Sequence, residues 1–256
     1  MYIITIGEIF LKGKNRNKFE SKLLHNIRKA LDLKVYELIK LRNRYILLKD
    51  DVENLKYVFG INSYYKAEEC TFEELNEFCL NKINKENNFR ITVQRLDKNF
   101  PKTSLELEKE IGTYIVEKKK LKVKLVEPEI NICIEIIKNK FYIYTKPIRG
   151  LGGLPVGSSG TVYVKINDMK KSTVAAVLMM KRGCAVNMSS DILIIRKFEH
   201  GFKIKIREEK DYDVIVNGEI ITELNSKEKD ERFILRPLIG FTDNEINELY
   251  EKINEL

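Results

Sequence analysis

Residues 164–184 read VKINDMKKSTVAAVLMMKRGC: a β-rich start, a short polar loop and a helical run closed by Gly183. α/β enzymes hold nucleotide phosphates at such a junction, because the free N–H groups and the dipole at a helix N-terminus both favour an anion. Close approach of backbone to phosphate calls for glycine. None stands between Lys165 and Arg182. Lys170 and Lys171 could hold an anion by another geometry, although adjacent lysines on a polar loop are more often simply solvated.

Other residues with chemical potential are sparse. Cys70, Cys79, Cys133 and Cys184 form no CxxC pair and have no histidine cluster nearby, so they read as buried thiols rather than metal ligands. His25 falls in a helical pattern and His200 in the turn-like EHG, neither with a catalytic partner close in sequence. Glu219 and Arg236 read as an ion pair holding strand ends. No catalytic residue and no metal site is expected.

The net charge of +8 is unevenly placed. Residues 1–150 hold 30 Lys/Arg against 21 Asp/Glu, whereas residues 151–256 hold 16 against 17. A basic first part suits a polyanion through phosphate contacts and counterion release. A lysine-rich solvated surface explains the same excess, and charge alone does not choose. No apolar run approaches the ~20 residues that span a bilayer. The start MYIITIGEIFLKGK lacks the charge order and cleavage site of a signal peptide, so a cytoplasmic chain with no membrane contact is expected.

The elements that would position these groups fall into two styles. YIITIGEI alternates as a strand, and Phe19, Leu23, Leu24, Ile27 and Leu31 predict a helix over residues 17–31. KVYELIKLRNRYILLKD reads as a hairpin turning near Arg42 and Asn43, and residues 52–59 as a short helix closed by Gly60. The loop LKGKNRNKF puts Lys12, Lys14, Asn15, Arg16 and Lys18 at and near a helix N-terminus. Cations oppose the dipole there, so the cluster is read as facing phosphate.

A second α+β unit starts near Tyr65. Thr71 with Glu74 predicts a capped helix to Ile83, FRITVQRL a strand, DKNFPKTS a loop, and Ser104 the cap of a helix to about Glu117. Residues 122–148 supply three more strands with a tight turn at Asn139. RGLGGLPVGSSG, with five glycines and a proline, is the strongest breaker and marks a boundary. Beyond it strands and helices alternate: TVYVKI, a helix from about Ser172, CAVNM, an irregular β stretch to about Arg207, DVIVNGE, RFILRPL, and a helix capped by Thr242 with Glu245. That order predicts a small, mostly parallel sheet.

Four stretches, in order, resemble the tRNA 4-thiouridine synthase (ThiI) family. GEIFLKGKNRNKFESKLLHNIRKAL is similar to its ferredoxin-like domain, FRITVQRLDKNFPKTSLELEKEIGTYI to its THUMP domain, and GLGGLPVGSSG to its linker. STVAAVLMMKRGC, DVIVNGE and ILRPLIGFTDNEI are similar to parts of its PP-loop domain. The resemblance implies an α+β N-terminal part, a ferredoxin-like domain over 1–64 and a THUMP domain over 65–150. A Gly-rich linker over 151–160 and a shortened PP-loop-like α/β domain over 161–256 follow. It also implies that tRNA is gripped at its acceptor end, by the loop of Lys12, Lys14, Asn15, Arg16 and Lys18 together with Arg95, Lys98 and Lys102. Phe19 and Phe100 beside them read as core rather than base platforms.

In that family the third domain adenylates a uridine with ATP through an SGGxDS loop. Here Asn167, Asp168, Met169, Lys170, Lys171 and Ser172 stand in its place, and only the last serine survives. Met169 brings bulk and Asp168 a negative charge where phosphate would lie, while Ser172 or Thr173 is expected to cap the helix. The family's TGESxGQVASQT is matched by NGEIITELNSKE, in which Gly218, Glu219 and Ser226 remain but the glutamines do not. The family's catalytic cysteine would lie beyond RPLIG, and the chain given ends at Leu256. The expectation is a tRNA-binding relative that takes no cofactor. The alternative is a working 4-thiouridine synthase that uses ATP and Mg²⁺ through an altered site, or with a homodimer or partner protein completing it. A purely structural subunit is a third reading.

Overall fold

The computed structural model of the protein describes residues 1–41, 43–96, 98–224 and 231–256. β1 (Tyr2–Ile6) is followed not by a plain loop but by 3₁₀ turns over Glu8–Asn15, broken at Gly13 where φ is 50°. α1 (Arg16–Leu31) buries Leu23, Ile27 and Leu31 on one face, the apolar stripe that its spacing predicts. β2 (Leu38–Leu41) and β3 (Arg44–Leu47) are adjacent strands joined through Asn43 at φ 65°; Arg42, the other expected turn residue, lies outside the described residues. The expected helix at 52–59 is a 3₁₀ helix, Glu53–Tyr57.

β4 (Ile61–Lys66), β5 (Glu68–Cys70), α2 (Leu75–Asn81), β6 (Asn88–Arg95) and α3 (Ser104–Lys119) follow. α2 begins later than predicted, because Thr71 donates to Glu74 within a turn that precedes it. α3 is capped by Thr103 rather than Ser104: its hydroxyl accepts the Glu106 N–H and the Glu106 carboxylate accepts the Thr103 N–H. The next segment holds four strands instead of three, namely β7 (Lys122–Val123), β8 (Ile130–Ile137), β9 (Lys140–Tyr144) and β10 (Ile148–Arg149). Lys138 and Asn139, both at positive φ, make the tight turn.

The last third holds β11 (Thr161–Val164), α4 (Met169–Lys181), β12 (Ala185–Met188), α5 (Leu193–Arg196), β13 (Val214–Val216), β14 (Phe233–Leu235) and α6 (Asp243–Asn254). The stretch after β12 is not simply irregular β structure; it contains α5 and a lone parallel bridge of Met188 to Ile206. Among the described residues three sheets result, with strand orders β10-β4-β1-β3-β2, β5-β9-β8-β6-β7 and β12-β11-β13-β14. The last is parallel throughout, as the alternation of strands and helices requires.

Contacts divide the chain into two compact units. One comprises Met1–Ile3, Lys40–Asp50 and Tyr64–Ile148. Its core joins α2 and α3 to the sheet through Leu75, Phe89, Leu107, Ile111, Ile132 and Phe141, and Phe100 packs against Phe141 at 5.2 Å between rings. It also buries Glu135, held by Arg44 through Nε and Nη2 at 2.9 Å each. A carboxylate so deeply buried is tolerable only with such a partner.

The other unit comprises Ile4–Ile39, Asp51–Ser63 and Arg149–Leu256. α4 is buried almost all round, through Val174, Ala175, Ala176, Val177, Met179 and Met180, which explains its apolar composition. The Gly-rich segment is a hydrogen-bonded strap within this unit. Gly152 N–H donates to Ile61 O at 2.7 Å, Leu154 N–H to Lys181 O at 2.9 Å, and Gly157 N–H to Gly183 O at 2.8 Å. Gly153, at φ 70°, runs so close to the Lys181 carbonyl that a Cβ would collide with it.

Candidate functional site

β11 lies between β12 and β13, and its C-terminal end leads through residues 165–168 into α4. A parallel sheet binds ligands at this edge, so the start of α4 is where a nucleotide would be sought. The helix starts at Met169, earlier than predicted, and its cap is Asp168 rather than Ser172 or Thr173. The Asp168 carboxylate accepts the Lys171 N–H at 2.8 Å. The protein's own anion therefore satisfies a donor that a phosphate oxygen would otherwise take. Ser172 donates its hydroxyl to Lys165 O at 3.1 Å and Thr173 to Met169 O at 2.7 Å, so both are engaged behind the loop.

Lys171 crosses the remaining space. Its ammonium meets Glu223 at 2.5 Å and Asp243, in the first turn of α6, at 3.1 Å. The bond to Glu223 is the main reason that Lys171 is held above the ordinary lysine range. In turn the bond to Lys171, with that from the Ile220 N–H, holds Glu223 below the carboxylate range. Gly218 follows β13 so near the Lys171 backbone that an added Cβ would lie 3.1 Å from it. Asn167 reaches Asn217 at 3.4 Å. The cleft among Asn167, Asp168, Lys171, Ser172, Gly218 and Glu223 has a volume of only about 50 Å³. Small-molecule sites run from ~300 Å³ upward, and about 30 Å³ is one water.

Met169 does not supply the bulk expected of it; it is 49% exposed and does not line the cleft. Lys170 is held by Asn247 at 3.2 Å and lies 5.6 Å from the Tyr250 ring centre. Arg236 and Glu219 form the ion pair read from the sequence, at 2.9 Å. Ser226 lies outside the described residues. Glu223 and Asp243, the residues that pin Lys171, carry no sequence signal of their own beyond the position of Asp243 next to the Thr242 cap.

The basic residues separate into engaged and free. Lys14 and Asn15 ahead of α1, and Lys18 in its first turn, are exposed, and that turn has no acid. Arg16 is instead paired at 2.7 Å with Glu20, which is buried, and Lys12 lies 5.2 Å from the centre of the Phe19 ring. In the first unit, Arg95 donates to the carbonyls of Phe100 and Lys102 at 3.1 and 2.9 Å, shaping the loop rather than projecting from it. Lys102 pairs with Glu110 at 2.5 Å and lies over Phe72 at 4.8 Å, while Lys98 is exposed. Among the described residues, Lys14, Lys18 and Lys98 are the basic members of the expected set that are engaged neither by an ion pair, nor by a side-chain hydrogen bond, nor by a ring.

The cysteines carry no reactive signature. Burial pushes the Cys70 and Cys79 thiols up to about 12, and those of Cys133 and Cys184 upward as well. No group of three or more metal-ligating side chains occurs among the described residues, and none of their helices is long and apolar enough to cross a membrane.

Family models match two parts of the chain: the ThiI ferredoxin-like domain over residues 1–65 and the THUMP domain over residues 65–146. A protein of Mycoplasmopsis synoviae named "Probable tRNA sulfurtransferase" is 35% identical over 224 residues, 84% of this chain and 59% of that protein. One of the same name from Geobacillus kaustophilus is 37% identical over 200 residues, 72% of this chain and 49% of that protein. The chain thus spans between about half and three-fifths of the length of these curated relatives. Among solved structures, PH1313 from Pyrococcus horikoshii Ot3 superposes with a TM-score of 0.82 at 28% identity, covering 99% of both chains. A 4-thiouridine synthetase, solved in complex with RNA and bound ATP, shares the fold, with a TM-score of 0.78 at 24% identity over 98% of this chain and 84% of that one.

Proposed function

The chain is a THUMP-domain relative of the tRNA sulfurtransferase (ThiI) family, and on that footing we propose that it binds tRNA at the acceptor end without adenylating it. Lys14, Lys18 and Lys98 meet phosphates; Arg95 holds the loop that follows β6, and Arg16 is tied to Glu20 within the first turns of α1. The observation that carries the reading is the closed start of α4, where the Asp168 carboxylate caps the helix and Lys171 is tied to Glu223 and Asp243 around a cleft of about 50 Å³. A nucleotide triphosphate brings negative charge to a cleft already lined by the carboxylates of Asp168, Glu219 and Glu223, with no room for it. On this reading residues 1–64 and 65–150 make the RNA grip in the cytoplasm. Residues 161–256, behind the strap of 151–160, keep the PP-loop framework without its cofactor.

The test is filter binding of tRNA at several salt concentrations. Binding through free lysines gives an affinity that falls steeply with salt, with a log–log slope of roughly −0.7 to −0.9 per phosphate neutralised. A minihelix without its 3′ end should compete poorly. Affinity indifferent to salt, or full competition by the truncated minihelix, contradicts the proposal. A second reading, a synthase using ATP and Mg²⁺ with a homodimer or partner protein completing the site, is favoured by the identity to proteins named tRNA sulfurtransferases. It predicts heat from ATP and Mg²⁺ once tRNA is present.

A further inference from the structure

A cavity of about 510 Å³ opens in the second unit between α4 and the C-terminal half of α6. Its floor is apolar: Val174, Val177 and Leu178 line up on one face of α4, and Leu249 and Ile253 face them from α6. Phe59 closes the floor, and it is buried together with Val174, Val177 and Ile253 as part of the core. The strap backbone at residues 150–153 forms a third wall. The cavity lies towards the far end of α4 from the closed cleft, along a helix about 20 Å long at 1.5 Å per residue. Its volume falls in the range of small-molecule sites.

The rim is charged and unbalanced. Arg149, Lys181 and Lys252 are exposed there against one acidic side chain, that of Glu8. Lys252 has Glu248 only at 4.0 Å, and no ion pair engages Arg149 or Lys181 among the described residues. The apolar groove of the first unit, about 580 Å³ beside α3 and β6, differs in sign: Glu108 and Glu117 line it against Lys109. Both hollows offer apolar burial, but only the one in the second unit rewards a negative charge.

We propose that the cavity between α4 and α6 binds a small amphipathic anion, an aryl or alkyl body bearing one sulfonate, carboxylate or phosphate group. The body covers the floor of Val174, Val177, Leu178, Leu249 and Ile253, and the acid group lies among Arg149, Lys181 and Lys252. Burial of the body contributes roughly 25 cal/mol per Å² whatever the charge, so the rim is what selects an anion over a neutral molecule of the same shape.

Two fluorescent probes test this on the full chain: 8-anilinonaphthalene-1-sulfonate, an anion, and N-phenyl-1-naphthylamine, its uncharged counterpart. The folded chain should bind the sulfonate saturably, in preference to the amine. Combining Arg149→Gln, Lys181→Gln and Lys252→Gln should weaken the sulfonate by about tenfold or more, with unchanged circular dichroism and no change for the amine. Val177→Trp should remove both by filling the floor; if that variant misfolds, the rim variant decides alone. An unchanged sulfonate affinity in the rim variant overturns the proposal. So does the lack of saturable binding, or a sulfonate response moved by Leu105→Glu, a substitution in the lining of the groove of the first unit, and not by the rim.

Discussion

The Asp168 carboxylate accepts the backbone N–H of Lys171 at 2.8 Å, so the first turn of α4 is closed by an anion of the chain itself. The same residue type that repels a phosphate therefore stabilises the helix. Asp168→Ala should cost ~1 kcal/mol of stability, the usual loss of an N-cap, and should not open a nucleotide site, since Lys171 stays tied to Glu223. Chemical denaturation with and without ATP checks both parts; stabilisation of the variant by ATP would contradict the second.

The pairing of Lys171 with Glu223 sets a pH dependence. Glu223 is held below the ordinary carboxylate range, chiefly by Lys171. Such a group stabilises the fold above its unfolded pKa, and the contribution is lost as pH falls through the folded value. The pair is partly exposed, so Glu223→Gln should cost only ~0.5–1 kcal/mol at neutral pH. The gap to the native chain should narrow below about pH 4.3, the unperturbed glutamate value. A gap that persists at acid pH would show that charge is not its cause.

Arg95 and Lys98 should part company on substitution. Lys98→Gln, like Lys14→Gln and Lys18→Gln, should weaken tRNA binding and lower the salt slope by about one each, with little change in thermal midpoint. Arg95→Gln should instead cost about 1.5 kcal/mol or more, because two carbonyls lose a charged donor. Equal effects of all four on binding, with none on stability, would contradict the division.

His200 should make stability fall on mild acidification. Burial holds its imidazole below the ordinary value, against smaller upward pulls from the Lys197 backbone and Glu199, and Nε2 is buried with no hydrogen-bond partner among the described residues. The unfolded chain takes up a proton near pH 6.5 and the folded chain only lower, so stability is complete above pH 6.5 and lost below it. His200→Asn should flatten the thermal midpoint between about pH 7 and 5. An unaltered slope would place the dependence elsewhere.

Much of the fold was legible because periodicity is a property of short stretches. The stripe of Leu23, Ile27 and Leu31, the alternation that makes β6 and β8, and the Thr242–Glu245 box all act within a few residues. Adjacent hydroxyls misled at α3: Thr103, not Ser104, has a glutamate three residues on. At α4, Asp168 was legible as a charge but not as a cap. Glu223 and Asp243 were hidden because they reach Lys171 only through the tertiary fold. The strap reads as a breaker from its glycines, yet Gly153 is there for close approach to Lys181. Nor can a sequence tell an arginine that holds two carbonyls, such as Arg95, from a lysine left free for a polyanion.

The most direct measurement is isothermal titration calorimetry with ATP and Mg²⁺ on a preparation already shown to bind tRNA, carried out with and without saturating tRNA. The account predicts no heat of binding in either case, alongside salt-dependent tRNA affinity. Stoichiometric heat from ATP, abolished by Lys171→Glu at the start of α4, would contradict it.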